Sequence, residues 1–242
     1  MNPMTTTFVR RLRQRDEVAW FELWQDFGPA IHYQLSKWGR GRVGIETVQD
    51  LTQETLAELS KCIDRYDPNR GARFSTWLLT IAKHILGDEM DKRNALKRGS
   101  GVKPLSLDER IDSSSTAKQV DEIFEQRMFG AKICAAIRRT KTEVDFLHFQ
   151  VWRMRVLDNL VGKEISLQLG ISEPTVSRHV AKIRNHLRET IMNVVMQYSF
   201  TPEEEKEASS YGVTGNDTEF DAAVSETFHS HQLFLEQVSG TQ

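Results

Sequence analysis

Arginines and aromatic residues occur together at the start of one predicted amphipathic helix. A turn of sequence Asp-Pro-Asn-Arg-Gly ends at Gly71, and Arg73 and two aromatic residues follow it. Cations hold a phosphate backbone, and exposed aromatic rings stack on unpaired bases. The combination predicts a surface that binds DNA where its strands open. The candidate contacts are Arg70, Arg73, Phe74, Trp77, Thr80, Lys83 and His84.

The two aromatic residues of this set compete for exposure. An aromatic residue at helical spacing is more often in a core than on a surface, so Phe74 and Trp77 are not both expected to face DNA. We expect Arg73, Lys83 and His84 to be contacts, and we leave open which aromatic ring is exposed. The alternative for the whole segment is an ordinary amphipathic helix.

A second DNA-binding pattern covers residues 163–188. Gly170 can close a short helix in the left-handed conformation, Ser172 is a good N-cap, and Pro174 fits a first helical turn. A buried stripe follows at Val176, Val180, Ile183 and Leu187. This is the pattern of a helix-turn-helix, whose recognition helix carries short polar and basic side chains. The candidate contacts are Glu173, Thr175, Ser177, Arg178, Lys182 and Arg184. The alternative is a helical hairpin with a solvated polar face.

The elements that must position these residues are helices. Apolar residues recur at helical spacing along most of the chain, and β-alternation is nearly absent. A stretch rich in Gly, Ser, Lys and Asp, residues 97–119, predicts a flexible linker. We therefore predict an all-α protein with two small helical domains and an acidic C-terminal tail. The predicted ranges are 5–96 for the first domain, 120–195 for the second and 196–242 for the tail.

Each predicted domain has its own candidate core. In the first, apolar residues recur at three- to four-residue spacing over 5–38, and the set is Phe8, Leu12, Val18, Phe21, Leu23, Trp24, Phe27, Ile31 and Leu35. In the second, the set includes Phe124, Met128, Ile133, Ile137, Phe146, Leu147, Phe149, Val151, Val156 and Leu157. Cys62 and Cys134 lie on apolar faces, which predicts buried free thiols in a reducing cytoplasm.

Charge is distributed unevenly over the 242 residues. Residues 196–242 hold nine acidic residues and one lysine, a net charge of −8, whereas residues 1–195 hold 31 basic and 25 acidic residues, a net charge of +6. A basic body with an acidic tail is compatible with DNA binding. No apolar run approaches the roughly 20 residues of a membrane span, and the N-terminal residues lack a secretory pattern. We expect a cytoplasmic protein with no membrane partner.

A third motif, Asp50-Leu51-Thr52-Gln53-Glu54, precedes the arginine-rich segment. With these motifs the chain resembles the extracytoplasmic-function (ECF) branch of the bacterial sigma-70 family of RNA polymerase sigma factors, over about residues 5–195. The resemblance implies that Asp50, Gln53 and Glu54 bind the clamp helices of the polymerase β′ subunit. It implies melting of the minus-ten element by 69–77 and reading of the minus-thirty-five element by 143–190.

The resemblance implies a promoter-specificity subunit that works in the holoenzyme and is not an enzyme. Its partners would be core RNA polymerase (β′ and β), promoter DNA and an anti-sigma factor, with the linker threading toward the active-site channel. The alternative is a stand-alone helix-turn-helix regulator, which would need neither a clamp motif nor a strand-opening surface. A DNA-processing enzyme is disfavoured because the sequence shows no nucleophile with a supporting base. No cofactor or metal is expected, and Asp88, Glu89 and Asp91 are interpreted as a solvated helix end.

The acidic tail has two open interpretations. Its charge and a predicted amphipathic helix at 218–238 would let it fold back on the basic DNA surfaces and restrain binding, so that deletion of residues 200–242 would raise promoter binding. A solvated, disordered tail is the alternative.

Overall fold

A computed structural model describes residues 3–66, 73–98, 122–199, 204 and 206–239. Within these residues the backbone forms α-helices and one short 3-10 turn, with no β-strand, which confirms the predicted all-α fold. The chain divides into two compact units, chiefly Thr6–Met128 and chiefly Phe129–Leu235. Most of the predicted linker lies outside the described residues, and its limits stay a prediction.

In the described residues, the first unit contains four helices and a short 3-10 turn. They are α1 (Pro3–Arg13), α2 (Glu17–Gly39), α3 (Ile45–Cys62), the 3-10 turn Ile63–Arg65 and α4 (Phe74–Arg98). Asp16 caps α2, because its carboxylate accepts hydrogen bonds from the backbone N–H groups of Val18 and Ala19. Arg11 Nε donates to the same carboxylate at 2.8 Å, and this bond lowers the pKa of Asp16. The cap therefore fixes the corner between α1 and α2.

The core of this unit matches most of the predicted set. Leu12, Leu23, Ile31 and Leu35 are fully buried. The expectation is wrong for three residues of α2, because Val18 is 60% exposed, Phe21 is 62% exposed and Trp24 is 38% exposed. The buried side of α2 also takes Asp26 and Gln34, so it follows the packing against α3 and α4 rather than the widest apolar arc.

The second unit contains the remaining helices. They are α5 (Glu122–Glu143), α6 (Phe146–Val156), α7 (Gly162–Leu169), α8 (Glu173–Gln197), α9 (Glu207–Ser210) and α10 (Asp217–Ser239), although the ends of α5 and α10 fall in the first unit. Phe149, Val151 and Trp152 are buried as a core. Phe146 and Leu147, which were expected in that core, are 72% and 39% exposed because they occupy the first turn of α6.

The described part of the acidic tail is folded rather than solvated. Tyr211 stacks on Phe129 of α5 with ring centroids 3.9 Å apart. Glu207 lies 2.5 Å from the ammonium of Lys132 on the same helix, and the two side chains are only 7% and 4% exposed. Phe220 and Val224 of α10 are fully buried. The segment predicted as a helix at 218–238 forms α10, and its residues through Leu235 belong to the second unit.

Candidate polymerase and nucleic-acid interfaces

Helix α3 separates the five residues of its motif between a core face and a solvent face. Leu51 and Thr52 are buried, and the Thr52 hydroxyl donates to the Val48 carbonyl at 2.6 Å. The side chains of Asp50, Gln53 and Glu54 are exposed. Residues three and four apart are neighbours on a helix surface, so these three groups form one contiguous patch. The patch carries two carboxylates and an amide, which suits a basic helical partner.

Tyr66, Phe74 and Trp77 form an aromatic cluster where α4 begins. The ring centroid of Tyr66 lies 5.7 Å from that of Phe74 and 4.8 Å from that of Trp77. Phe74 is 1% exposed and is a core residue, so its ring is not presented to a base. Trp77 is half-buried, so part of its side chain is accessible. The structure therefore corrects the inclusion of Phe74 among the surface candidates.

The other candidates on α4 form a half-buried stripe with one flanking cation. Arg73, Trp77, Thr80 and His84 recur at the spacing of one helix face and are all partly accessible. Lys83 is exposed beside this stripe, and its Nζ lies 5.0 Å from the centre of the Trp38 ring. Arg70 lies outside the described residues. The described candidates thus share one surface of the first unit.

Arg73 is restrained by an acidic residue that sequence reasoning did not identify. Its Nη1 lies 3.2 Å from Glu125 Oε2, and the Ser75 hydroxyl donates to Oε1 of the same carboxylate at 2.5 Å. Glu125 lies far along the sequence, on α5, beyond the predicted linker. In the sequence, Glu125 differs from other glutamates only in its position near the start of the next segment whose apolar residues recur at helical spacing.

The helix-turn-helix is formed by α6, α7 and α8. Gly170 ends α7 with φ of 65°, and the Ser172 hydroxyl accepts a bond from the Thr175 backbone N–H at 3.3 Å. Val176, Val180, Ile183 and Leu187 are buried, as predicted. The local signals for the turn, the cap and the stripe are therefore all present in the structure.

The polar face of α8 divides the predicted contacts into two groups. Most of them are accessible: Glu173, Ser177, Arg178 and Lys182 are exposed and Thr175 is half-buried. Arg178 is oriented by its own helix, because its Nε donates to the Pro174 carbonyl and its Nη2 to the Thr175 hydroxyl, both at 3.3 Å. A pre-oriented guanidinium near the start of a recognition helix suits contact with base edges.

His179 lies at the edge of this face against His148 of α6. Their ring centroids are 4.1 Å apart. Desolvation is the largest cause that lowers the pKa of His179, followed by the nearby His148 and Arg178. This ring contact joins α6 to α8. Within the described residues, no group of three or more His, Cys, Asp or Glu side chains is placed to hold a metal.

Arg184 differs from the other predicted contacts on α8. Its Nε and Nη2 donate to the two carboxylate oxygens of Asp221 at 2.9 and 2.6 Å, and its Nη1 donates to Asp217 at 2.7 Å. Its side chain is only 14% exposed, and the bond to Asp221 is the largest cause that raises its pKa. Both carboxylates come from α10. Arg184 is therefore engaged by the tail rather than presented to solvent.

Arg188, one turn further along, was not among the predicted contacts. Its Nη2 donates to Asp217 at 3.2 Å, and its Nη1 donates to the Gly215 carbonyl at 2.9 Å. Its guanidinium lies 4.2 Å from the centre of the Phe220 ring. The four-residue spacing of Asp217 and Asp221 on an amphipathic segment is the signal in the sequence for this acidic face.

The structure thus presents an acidic and amide patch on α3 and two helical surfaces, on α4 and α8, that carry the predicted DNA contacts. The family model for Sigma-70 region 2 matches residues 20–95, and the model for ECF sigma factor matches residues 61–193, more than half of the chain. The chain belongs to the ECF sigma factor family. No curated protein matches it significantly. Among the described residues, no helix is long and apolar enough to cross a membrane.

Membership in this family establishes the general function of the chain. The chain is a sigma factor that directs transcription initiation, with core RNA polymerase and promoter DNA as partners. The family is not one of enzymes. A stand-alone helix-turn-helix regulator is not favoured.

Proposed function

We propose that the exposed face of α3 is the surface that binds the clamp helices of the polymerase β′ subunit. The observation that carries this proposal is the division of one short motif. Leu51 and Thr52 are buried in the core, whereas Asp50, Gln53 and Glu54 are exposed together. A carboxylate-rich patch on a rigid helix gains affinity and register from a basic partner.

The test of this proposal is assembly with core RNA polymerase on a gel-filtration column. The variant D50A/Q53A/E54A is expected to lose co-elution, because it removes both charges and the amide of the patch. The matched control is E17A/E226A, which removes two exposed carboxylates from helices other than α3. Equal co-elution of the two variants would refute the assignment of the patch.

We further propose that the stripe on α4 opens and holds the minus-ten element. Its accessible members are Arg73, Trp77, Thr80, Lys83 and His84. Trp77 offers the accessible part of its ring beside four cationic or polar groups, and capture of an unstacked base by an aromatic ring is worth about 1–3 kcal/mol. In this proposal Phe74 supports the ring of Trp77 from the core instead of contacting DNA.

We assign the second contact with the promoter to the N-terminal half of α8. Glu173, Thr175, Ser177, Arg178 and Lys182 would read the minus-thirty-five element in the major groove. Arg178 is the strongest candidate for a base contact because Pro174 and Thr175 orient its guanidinium. The protein would act in the cytoplasm, where its polymerase and promoters are.

Selection of promoters from a random DNA library with reconstituted holoenzyme tests both assignments. R178A is expected to relax the sequence selected at the upstream element, and the loss of one bidentate base contact costs about 1–3 kcal/mol. W77A is expected to leave upstream selection intact but to reduce permanganate reactivity of thymines in the opened region. If W77A relaxes the upstream element, or R178A prevents strand opening without changing selection, the two surfaces have been assigned wrongly.

A further inference from the structure

The acidic tail engages arginines that lie beside the DNA-facing side of α8. At 3.6 residues per turn, Arg184 and Arg188 lie about 120° and 80° around the helix from Arg178, at the boundary between the exposed face and the buried stripe. Side chains in this position do not point at base edges. A recognition helix in a major groove has a phosphate backbone on each side, and cations on its flank are placed to contact it.

The contacts of these arginines have the chemistry of phosphate binding. Asp221 holds Arg184 through two parallel N–H···O bonds, and Asp217 bridges both guanidinium groups. Bidentate pairing with a planar guanidinium is common to carboxylates and phosphates. Phe220 covers one face of the Arg188 guanidinium, which restricts the side chain further.

We propose that Asp217 and Asp221 act as an intramolecular phosphate mimic that keeps Arg184 and Arg188 away from the DNA backbone. The sigma factor would then hold DNA through α8 with fewer phosphate contacts than its basic residues allow. The inference rests on the proposed function only in that α8 is the DNA-facing helix. With a lower affinity for DNA on its own, the factor would depend more on its other contacts with the promoter and with the polymerase.

Deletion of the tail is a poor test of this proposal. Removal of residues 200–242 would uncover Phe129, which stacks on Tyr211, and would leave Lys132 without Glu207. A loss of DNA binding would then report unfolding. The isosteric variant D217N/D221N keeps Glu207, Tyr211 and Phe220 in place and removes only the two charges. Thermal unfolding of this variant establishes that the domain remains folded.

The measurement is the salt dependence of binding between the full-length protein and a short fluorescein-labelled duplex of arbitrary sequence. Non-specific binding is almost entirely electrostatic, and each added phosphate contact steepens the plot of log K against log salt by about 0.9. D217N/D221N is expected to steepen this slope by about 1–2 and to raise affinity about ten-fold at about 50 mM salt. The gain should shrink as salt is raised toward about 200 mM.

The control variant E226Q/E236Q changes the net charge of α10 by the same amount. Both glutamates are exposed on this helix. The control is expected to retain a slope near that of the wild type, because it releases no arginine. If it steepens the slope as much as D217N/D221N, or if D217N/D221N leaves the slope unchanged, the proposal is wrong.

Removal of the arginines tests whether they are the released groups. In the D217N/D221N background, R184Q/R188Q should return the slope and the affinity to near the wild-type values. A gain that persists without these two side chains would mean general repulsion by the tail and would overturn the proposal. The experiment contains no polymerase, so its failure is separate from failure of the α3 assembly test.

Discussion

The two helices that carry the proposed DNA contacts restrain their arginines with carboxylates of different origin. On α4, Arg73 is held by Glu125, which lies within the residues matched by the ECF family model. On α8, Arg184 and Arg188 are held by Asp217 and Asp221, which lie beyond the matched residues. The first restraint therefore lies inside the part of the chain that the family model covers. The second is supplied by an extension, so the availability of cations on α8 is a property of this chain.

The largest expected effect tests how firmly the extension is attached. K132M should lower the free energy of unfolding of the second unit by about 3–5 kcal/mol, because it leaves the buried Glu207 carboxylate without its cation. Urea unfolding of K132M, compared with K163M at an exposed position, measures the loss. The double variant K132M/E207L should recover much of it. If K132M is as stable as K163M, the extension is only loosely attached. The contrast between the restraints on α4 and α8 would then have no structural basis.

A similar or slightly smaller loss is expected in the aromatic cluster of the first unit. F74A should cost about 3–5 kcal/mol, since the ring is fully buried and its removal leaves a cavity. W77A should cost less because part of its ring is already in water. Urea unfolding of both variants checks the order. The reverse order would make Trp77 the core residue and return Phe74 to the DNA-facing set.

A smaller effect separates the Arg73 restraint from a simple surface ion pair. A double-mutant cycle with R73Q and E125Q should give a coupling free energy of about 1 kcal/mol, because Glu125 is only 14% exposed and the pair is partly desolvated. The reference cycle is Lys61 and Glu58, where Lys61 is 71% exposed and the coupling should be weaker. Equal couplings would mean that Arg73 is held no more firmly than a surface lysine.

The smallest expected effect is a pH dependence that distinguishes the two units. Desolvation lowers the pKa of His32 in α2 below its ordinary value of 6.5. The unfolded chain then binds the proton more readily, so stability is constant above about pH 6.5 and falls as the pH drops through the lower folded value. H32Q should flatten this fall between about pH 7.5 and 5.5 in urea unfolding of the first unit. H179Q, in the second unit, is the matched control and should leave that fall unchanged.

Local signals made the helix-turn-helix predictable. Gly170, Ser172 and the Val176–Leu187 stripe each act within one or two turns of backbone, so the sequence alone specifies them. Val18, Phe21 and Trp24 were misplaced for the opposite reason. Packing against α3 and α4 decides which side of α2 is buried. The buried side includes the polar residues Asp26 and Gln34, so the apolar pattern alone does not identify it.

The arginines show the same limit at the candidate sites. The type and spacing of Arg73 and Arg184 predict surface cations, and nothing near either residue in the sequence indicates its carboxylate partner. Glu125 and Asp221 are brought close only by the tertiary fold. The motif on α3 was easier to interpret, because residues three and four apart share a helix face whatever the remainder of the chain does.

The buried pair of Lys132 and Glu207 has a consequence for the engineering of hybrid factors. A recombinant module that ends where the family model ends, near residue 193, would retain the lysine and discard its counterion. Such a graft would be expected to misfold for a reason unrelated to promoter recognition. Transplanted versions of this DNA-binding module should therefore run at least through Leu235, and an exchange of recognition helices between factors should be made inside that boundary.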